Sequence, residues 1–503
     1  MVKRAGGALL LSIVIDHRSS RPIGTQLYAR LRDLMLSGAI AAGTRLPASR
    51  TLARDLGLSR TTVIDAFERL AAGGLVSSRV GAGTFASDAL CSERPWPPPA
   101  PAKLIPHQKQ SRSKAMDIAV GRFGDRPRLP YAPRAFNTAL PAFDAFPMAQ
   151  WARLAAKHWR GRREDVMGYG APFGHAGLRE AIAAHLPANR GIARESWQIF
   201  IVGGAQQAFN LIGSVLLDPG DKVWFENPGA IGARNSLLAC GAELVPVPVD
   251  ASGPQVEEGM RRASDFRLVF ATPSHQQPLG HVMSLERRLA LLRCAEGAGA
   301  WIIEDDYDGE FFFGRRPPDS EEHRSGGRRD LCRDLQQIAL PALRLGFMLV
   351  PPSLVDIFEK VSASFVHGVP SSVQAMVAEF IEEGHFAAHI RRMRRIYEER
   401  HAALCETAAR ELGGALDVMP TESGLHTTGH LRGNLSEIAV ARAAAERDIV
   451  VSPIARFSIE PTGIKGLVLG FGGVAPPAIR SGIAVLGEVL AGELGARCQA
   501  RRA

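Results

Sequence analysis

The sequence predicts an α/β protein in two parts, a small helical module closed by a β-hairpin and a large doubly wound domain. Three observations predict it. Short helix signals punctuated by glycine turns crowd the stretch from Pro22 to Ser87; a proline-rich stretch without periodicity begins at Cys91; and beyond it brief apolar runs alternate with helical periodicity. These limits place a first domain at 18–88, a linker at 89–117 and a large domain at 118–495.

Composition bounds the class. With 503 residues, 46% hydrophobic and 22% charged, the chain can bury a large core and still carry a second module. No apolar run approaches the roughly 20 residues that cross a bilayer. The Leu9-Leu10-Leu11 patch is interrupted by Asp16 and Arg18, so it does not read as a signal peptide, and the chain reads as cytoplasmic with no membrane association. Cys91, Cys240, Cys294, Cys332, Cys405 and Cys498 lack paired or metal-type spacing, which reads as reduced thiols and no metal site. The net charge of +9 favours a polyanionic partner, although arginine richness can also follow from GC-rich codons.

In the first module Gln26, Leu27, Leu31 and Leu34 recur at helical spacing before Gly38 and Gly43 end the run. Pro47-Ala48-Ser49-Arg50 offers Ser49 as N-cap of a helix through Leu56, and Gly57 makes the turn. Ser59-Arg60-Thr61-Thr62 opens a second helix with Val63, Ala66, Phe67 and Leu70 as its inner stripe. Gly74 to Phe85 reads as a hairpin whose glycine turn can lie against a phosphate backbone. Two helices about a glycine turn, with Arg and Thr in the second helix's first turn, form a helix-turn-helix layout. The module resembles the winged helix-turn-helix of GntR regulators through Leu46-Pro47, Ser49-Arg50, Leu52-Ala53, Ser59-Arg60-Thr61-Thr62-Val63, Gly74-Leu75 and the Gly81/Gly83 wing. The resemblance implies double-stranded DNA as partner. It assigns Arg45, Arg50 and Arg60 to DNA, with Ser49 and Ser59 at helix starts, Thr61 and Thr62 opening the recognition helix, and Gly83 near the minor groove.

Pro95-Trp96-Pro97-Pro98-Pro99-Ala100-Pro101 and the basic, polar run after it read as an extended spacer. In the large domain Ile199 to Val202 runs as a strand into Gly203-Gly204-Ala205-Gln206 and a helix, an arrangement that presents backbone N–H groups to a phosphate. Lys222-Val223-Trp224-Phe225, Leu268-Val269-Phe270-Ala271 and Trp301-Ile302-Ile303 supply further strands. Between them lie Gly168-Tyr169-Gly170, Asp218-Pro219-Gly220-Asp221, Glu226-Asn227-Pro228-Gly229, Thr272-Pro273-Ser274-His275-Gln276, Glu304 to Asp308, and Leu343 to Phe347. In that order they resemble a fold-type I transferase domain dependent on pyridoxal 5'-phosphate, with its small C-terminal α+β subdomain. The form it resembles is the one fused to a GntR module in the MocR (PdxR-like) subfamily. The resemblance implies that cofactor, with Asp305 opposite the pyridine nitrogen, His275, Gln276 and Tyr307 about the phenolic oxygen, and Arg344 with Gly204, Ala205 and Gln206 at the phosphate. It also implies a homodimer.

Three positions depart from the family pattern. Gln337 occupies the place of the lysine that condenses with the cofactor aldehyde, and an amide is neither nucleophilic nor basic. Ala230 stands where an aromatic would stack on the ring, and Val468 lies near the place of a carboxylate-binding arginine. From Gly314 to Gln337 the sequence is too charged for a buried strand. Arg329 to Gln337 can be written CGT GAT CTG TGC CGG GAC CTT CAG CAA; advanced by one base into the next codon it reads Val-Ile-Cys-Ala-Gly-Thr-Phe-Ser-Lys, a strand, a turn and the missing lysine. Two explanations stand side by side, a compensated pair of frameshifts or divergence into a surface loop.

The reading is a DNA-binding transcriptional regulator whose large domain senses pyridoxal phosphate or an amino compound, and which is not an enzyme without the lysine. The alternative is an aminotransferase carrying a DNA-binding appendage, which requires the repaired frame.

Overall fold

Packing organises the chain about separate cores. The computed structural model describes residues 13–79, 82–88, 113–125, 132–138, 140–190, 193–313, 343–366 and 368–500. Contacts divide the chain into two units, Met1–Ser111 and Arg112–Ala503.

The first unit holds helices α1 (Ile23–Leu36), α2 (Ser49–Leu56) and α3 (Arg60–Ala72) and the antiparallel hairpin β1 (Val76–Arg79) and β2 (Gly83–Ala86). Leu27 and Leu31 of α1, Leu52 of α2, and Val63, Ala66 and Leu70 of α3 close one core. Ile13 also reaches that core, so the ordered unit begins before the expected position 18. Gly57 takes a left-handed conformation at φ +66°, which lets the chain reverse between α2 and α3. Ser49 is not the cap of α2: Ala48 holds that position, and Ser49 is the first helical residue with no side-chain capping bond.

The extended spacer expected to 117 gives way earlier, since Lys114–Gly121 forms helix α4. Ser113 caps it, accepting a hydrogen bond from the Met116 amide at 3.4 Å. The chain that follows is pinned by Asn235, whose side chain exchanges two hydrogen bonds with the Gly124 backbone at 2.8 and 3.0 Å.

In the second unit β3 (Ile199–Val202) leads into α5 (Ala205–Leu216), and β4 (Lys222–Asn227) into α6 (Ile231–Ala239). Then come β5 (Glu243–Asp250), β6 (Gly253–Pro254), β7 (Phe266–Ala271) and β8 (Trp301–Glu304), joined in the order β6-β5-β4-β7-β8. The β5-β4-β7-β8 pairs are parallel. Strand β9 (Gly346–Leu349) pairs antiparallel with β3. Gln337 and the segment of the alternative frame lie outside the described residues. After the helix α7 (His385–Glu411) the chain builds a smaller sheet from β10 (Leu416–Val418), β11 (His426–Leu431), β12 (Ser452–Pro453) and β13 (Gly466–Gly470), in the order β10-β11-β13-β12. Helix α8 (Pro476–Ala500) and α7 cover it, which is the expected α+β subdomain. Phe136, fully buried, plugs into this core, and its carbonyl accepts from the Gly470 amide at 2.9 Å.

Candidate functional site

Residues assigned to DNA fall on α2, α3, the hairpin and the chain before α2 in the first unit. Ser59 caps α3: its Oγ accepts from the Thr62 amide at 3.1 Å and lies 2.8 and 2.7 Å from the Thr61 and Thr62 hydroxyls. That fixes the start of the helix and leaves Arg60 and Thr61 exposed beside the positive end of its dipole. Arg45 and Arg50 are exposed as well, and Ser49 and Thr62 are half-buried. Arg45 and Gly83 meet: Gly83 sits at φ +111°, and a Cβ there would lie 3.0 Å from the Arg45 Nε. The positive φ favours glycine at this wing position, and the Arg45 guanidinium lies beside it.

In the second unit, three expected cofactor residues converge at the β3–α5 turn. Gly204, at φ +93°, is the N-cap of α5 with no side-chain cap, and nothing lies within 4 Å of a Cβ placed there. The Ala205 and Gln206 amides sit in the first helical turn, where N–H groups have no intrahelical acceptor. Pairing of Val202 with Gly346 brings Arg344 beside this turn, with its carbonyl 3.8 Å from the Cβ position of Gly203. The turn therefore lies next to the Arg344 backbone.

The remaining expected residues lie past the C-terminal ends of the parallel strands, the usual ligand side of such sheets. Asp305 is buried just beyond β8. His275 Nδ1 lies 2.8 Å from Asp308 Oδ2 and 3.1 Å from the Tyr307 hydroxyl, so imidazole, carboxylate and phenol form one network. Burial pushes the Tyr307 phenol well above its ordinary range, and the nearby Asp308 and Asp305 charges add to that.

Gln276 is placed differently from expectation. Its amide nitrogen donates to Glu226 Oε2 at 3.0 Å and to the Pro228 and Gln277 carbonyls at 2.9 Å, while its oxygen accepts from the Leu279 amide. The neighbouring Glu226 is fully enclosed, and burial raises its carboxyl to about 7 against hydrogen bonds from Thr272 and Gln276. Gln276 thus satisfies a buried carboxylate, and it is Gln277 that reaches the cavity.

That cavity, about 90 Å³, is bounded by Thr138, Gln277, Pro278, Tyr307 and Asp308 together with Leu425, His426, Phe457 and Val468 from the C-terminal subdomain. Sequence reasoning did not find Thr138, Gln277, Asp308, His426 or Phe457 as site residues. Phe457 supplies an aromatic ring to the cavity, which Ala230 cannot. His426 had no signal, being a lone histidine at the start of a strand; burial, with His275 nearby, pushes its imidazole down to about 3.

His275, Asp308 and His426 also place ligand-type atoms within 4.8 Å of one another, a set that could hold a metal ion although none was expected. Close packing here depends on Gly424 at φ +82°, where a Cβ would fall 2.3 Å from Asp308 Oδ2 and 2.5 Å from His275 Nδ1. Gly424→Ala is therefore expected to destabilise the protein by about 2–4 kcal/mol through strain and overpacking. Gly433→Ala is the control: it also has positive φ, +69°, but open space around it, and should lose about 1 kcal/mol. Equal melting temperatures for the two variants would contradict the geometry.

Comparison with known proteins gives a consistent result. The gntR family model of bacterial regulatory proteins matches residues 23–86, and the aminotransferase class I and II model matches residues 139–465. The chain is 38% identical over 476 residues to the probable rhizopine catabolism regulatory protein MocR of Rhizobium meliloti, covering 94% of each. It is 27% identical to the pyridoxine biosynthesis regulator PdxR of Corynebacterium glutamicum, over 92% of this chain and 94% of that one. Among solved structures it resembles LysN, an α-aminoadipate aminotransferase of Thermus thermophilus complexed with N-(5'-phosphopyridoxyl)-L-leucine, at TM-score 0.66 and 25% identity, over 77% of this chain and 96% of that one.

Proposed function

The chain belongs to the MocR-type GntR regulators, which join a GntR DNA-binding domain to an aminotransferase class I and II domain, and from that premise we propose how its residues carry out regulation. It is a DNA-binding transcriptional regulator. The exposed Arg60 and Thr61 at the capped start of α3 enter the major groove, with Thr62 behind them; Arg45, Arg50 and the Gly83 wing hold the flanking backbone, Ser59 fixes the start of α3, and Ser49 meets the backbone from the first turn of α2. Its place of action is the cytoplasm, where the operator is. A homodimer would match two half-sites.

The second unit senses pyridoxal phosphate or an amino compound. The residues fit the cofactor: the open Gly204 turn and Arg344 suit its phosphate, the buried Asp305 its pyridine nitrogen, and Tyr307 its phenolic oxygen. When bound, the cofactor supplies an aldehyde that captures amines. The protein's own part is to position and exclude water; with Gln337 at the lysine place it lacks the amine that would condense with the aldehyde and shuttle the proton, so we read it as a sensor and not an enzyme. The transaminase reading has less support: the relatives matched over more than nine-tenths of the chain are regulators, whereas the 2-aminoadipate transaminase of Thermus thermophilus matches 72% of it at 29% identity.

The observation that carries the reading is the joint presence of a capped, arginine-bearing recognition helix and an open phosphate cradle in one chain. Gel shifts on duplexes selected from a random library test it: operator binding that responds to pyridoxal phosphate is expected, and binding that ignores the cofactor would reduce the second unit to a scaffold. Resequencing the codons for Gly314 to Phe347 decides how the cofactor is held. Single-base errors that restore Ser-Lys predict a cofactor fixed covalently and retained through dialysis. If the codons stand, dialysis removes it and borohydride reduction adds no mass.

A further inference from the structure

We propose that helix α6 (Ile231–Ala239) couples the β3–α5 turn to the segment 113–125, with Ser236 and Asn235 as its two positioning residues. This rests on the cofactor-sensing reading above and names the route by which an occupied turn is felt in the chain that leads back to the DNA-binding unit.

Two neighbouring faces of α6 are engaged. Gly232 and Ser236 stand four residues apart, so they share one face, and that face meets the first turn of α5. The Ser236 hydroxyl donates to Gln206 Oε1 at 3.1 Å, and a Cβ on Gly232 would fall 2.3 Å from Gln206 Nε2. Further along, a Cβ on Gly213 of α5 would fall 2.6 Å from the Cys240 sulfur. The helices thus approach closely at two glycines, and close-packed contacts pass a displacement on instead of absorbing it. Gln206 joins the two sides: its backbone N–H belongs to the turn expected to hold the cofactor phosphate, while its side chain lies on α6.

The other face holds the segment 113–125. Asn235 accepts from the Gly124 amide at 2.8 Å and donates to the Gly124 carbonyl at 3.0 Å. Arg234 donates through one guanidinium nitrogen to the Arg122 carbonyl at 2.8 Å and through another to the Ser458 carbonyl at 3.1 Å. Gly124 is seated so closely that a Cβ there would lie 2.9 Å from Ile231 Cγ2. What these contacts hold is weak by itself. Helix α4 has eight residues, too few to persist alone in water, and of its side chains Ala119 is buried while Met116, Ile118 and Val120 are exposed. Its order therefore depends on α6, and a small change in how firmly α6 is held changes how often α4 and Gly124 open. A phosphate bound by the Ala205 and Gln206 amides fixes the first turn of α5. Through Gln206 and Ser236 that fixes α6, and through Asn235 it closes the segment.

Hydrogen–deuterium exchange of the full chain, with and without pyridoxal phosphate, tests this at residues 203–207 and 114–125. Because the Gly124 amide donates to Asn235, its exchange reads the latch directly. The cofactor is expected to slow exchange by about fivefold or more in both segments. In Asn235→Ala and in Ser236→Ala the slowing at 203–207 should persist and that at 114–125 should fall below about twofold. Ser284→Ala removes a helix cap elsewhere in the second unit, where the Ser284 hydroxyl oxygen accepts from the Arg287 amide at 3.2 Å. It should keep both responses, which separates coupling from a general loss of stability. The comparison in the parental chain needs no variant, so it stands even if a variant does not fold. Slowing at 203–207 alone in the parental chain overturns the inference and leaves the sensing reading intact. Slowing at 114–125 that survives either substitution also overturns it. No slowing in either segment would remove the inference and the cofactor reading together.

Discussion

Arg50→Ala combined with Arg60→Ala is expected to abolish specific operator binding at physiological salt. Both arginines are exposed on the first unit, Arg60 at the capped start of α3 and Arg50 in the first turn of α2. A base-edge contact is worth about 1–3 kcal/mol and a lost phosphate contact lowers the log–log salt slope by about one. The pair should therefore weaken binding by roughly two to four orders of magnitude, with a shallower salt dependence. Arg32→Ala is the comparison: its surface pair with Asp33, 2.9 Å apart with both side chains largely solvated, is worth little. Fluorescence anisotropy from about 50 to 200 mM salt gives affinity and slope together. A double variant with the parental slope would place the DNA surface elsewhere.

The second large effect is acid lability. His426 is enclosed and held at about 3 in the folded protein, against about 6.5 for a solvated imidazole. Between those values the unfolded chain binds a proton that the folded one refuses, so the stability present above pH 6.5 is lost as the pH falls toward 3. His389 and His401, pushed down to about 4 chiefly by burial, act in the same direction. Glu226 opposes them: raised to about 7, it keeps a proton in the folded state, and its contribution is present below the unfolded carboxyl value and lost as pH rises through 7. Between pH 7 and 4.5 each of the three histidines loses about 2–3 kcal/mol while Glu226 gains about 3, so together the histidines prevail. Melting temperature should fall steeply from pH 7 to pH 4.5, and His426→Gln should flatten that fall. A wild-type curve that is level over this range would refute the assignment.

How much of this was legible in the sequence depended on how local the cause was. The helix-turn-helix was readable because caps, glycine turns and apolar spacing act within a few residues; even there the cap of α2 is Ala48, one residue before the expected Ser49. Strands β3, β4, β7 and β8 announced themselves as apolar runs because both faces of each are buried. The cavity was less legible. Gln276 and Gln277 are chemically identical neighbours in a loop without periodicity, and only the enclosed Glu226, fifty residues earlier, decides which one turns inward. His426 and Phe457 arrive from the C-terminal subdomain, across a sequence distance no local pattern spans.

Phe136 has a consequence for the direction of signalling. Its ring is locked into the core of the C-terminal subdomain, Thr138, two residues on, borders the cavity, and the chain before it leads back through Gly124 and α4 to the DNA-binding unit. One covalent chain thus joins the cavity to the operator-binding helices. Thermodynamic linkage makes such a thread work in both directions: by whatever factor the ligand changes affinity for the operator, the operator must change affinity for the ligand, so the regulator already seated on its promoter reads a different concentration of the same compound than its free copies do.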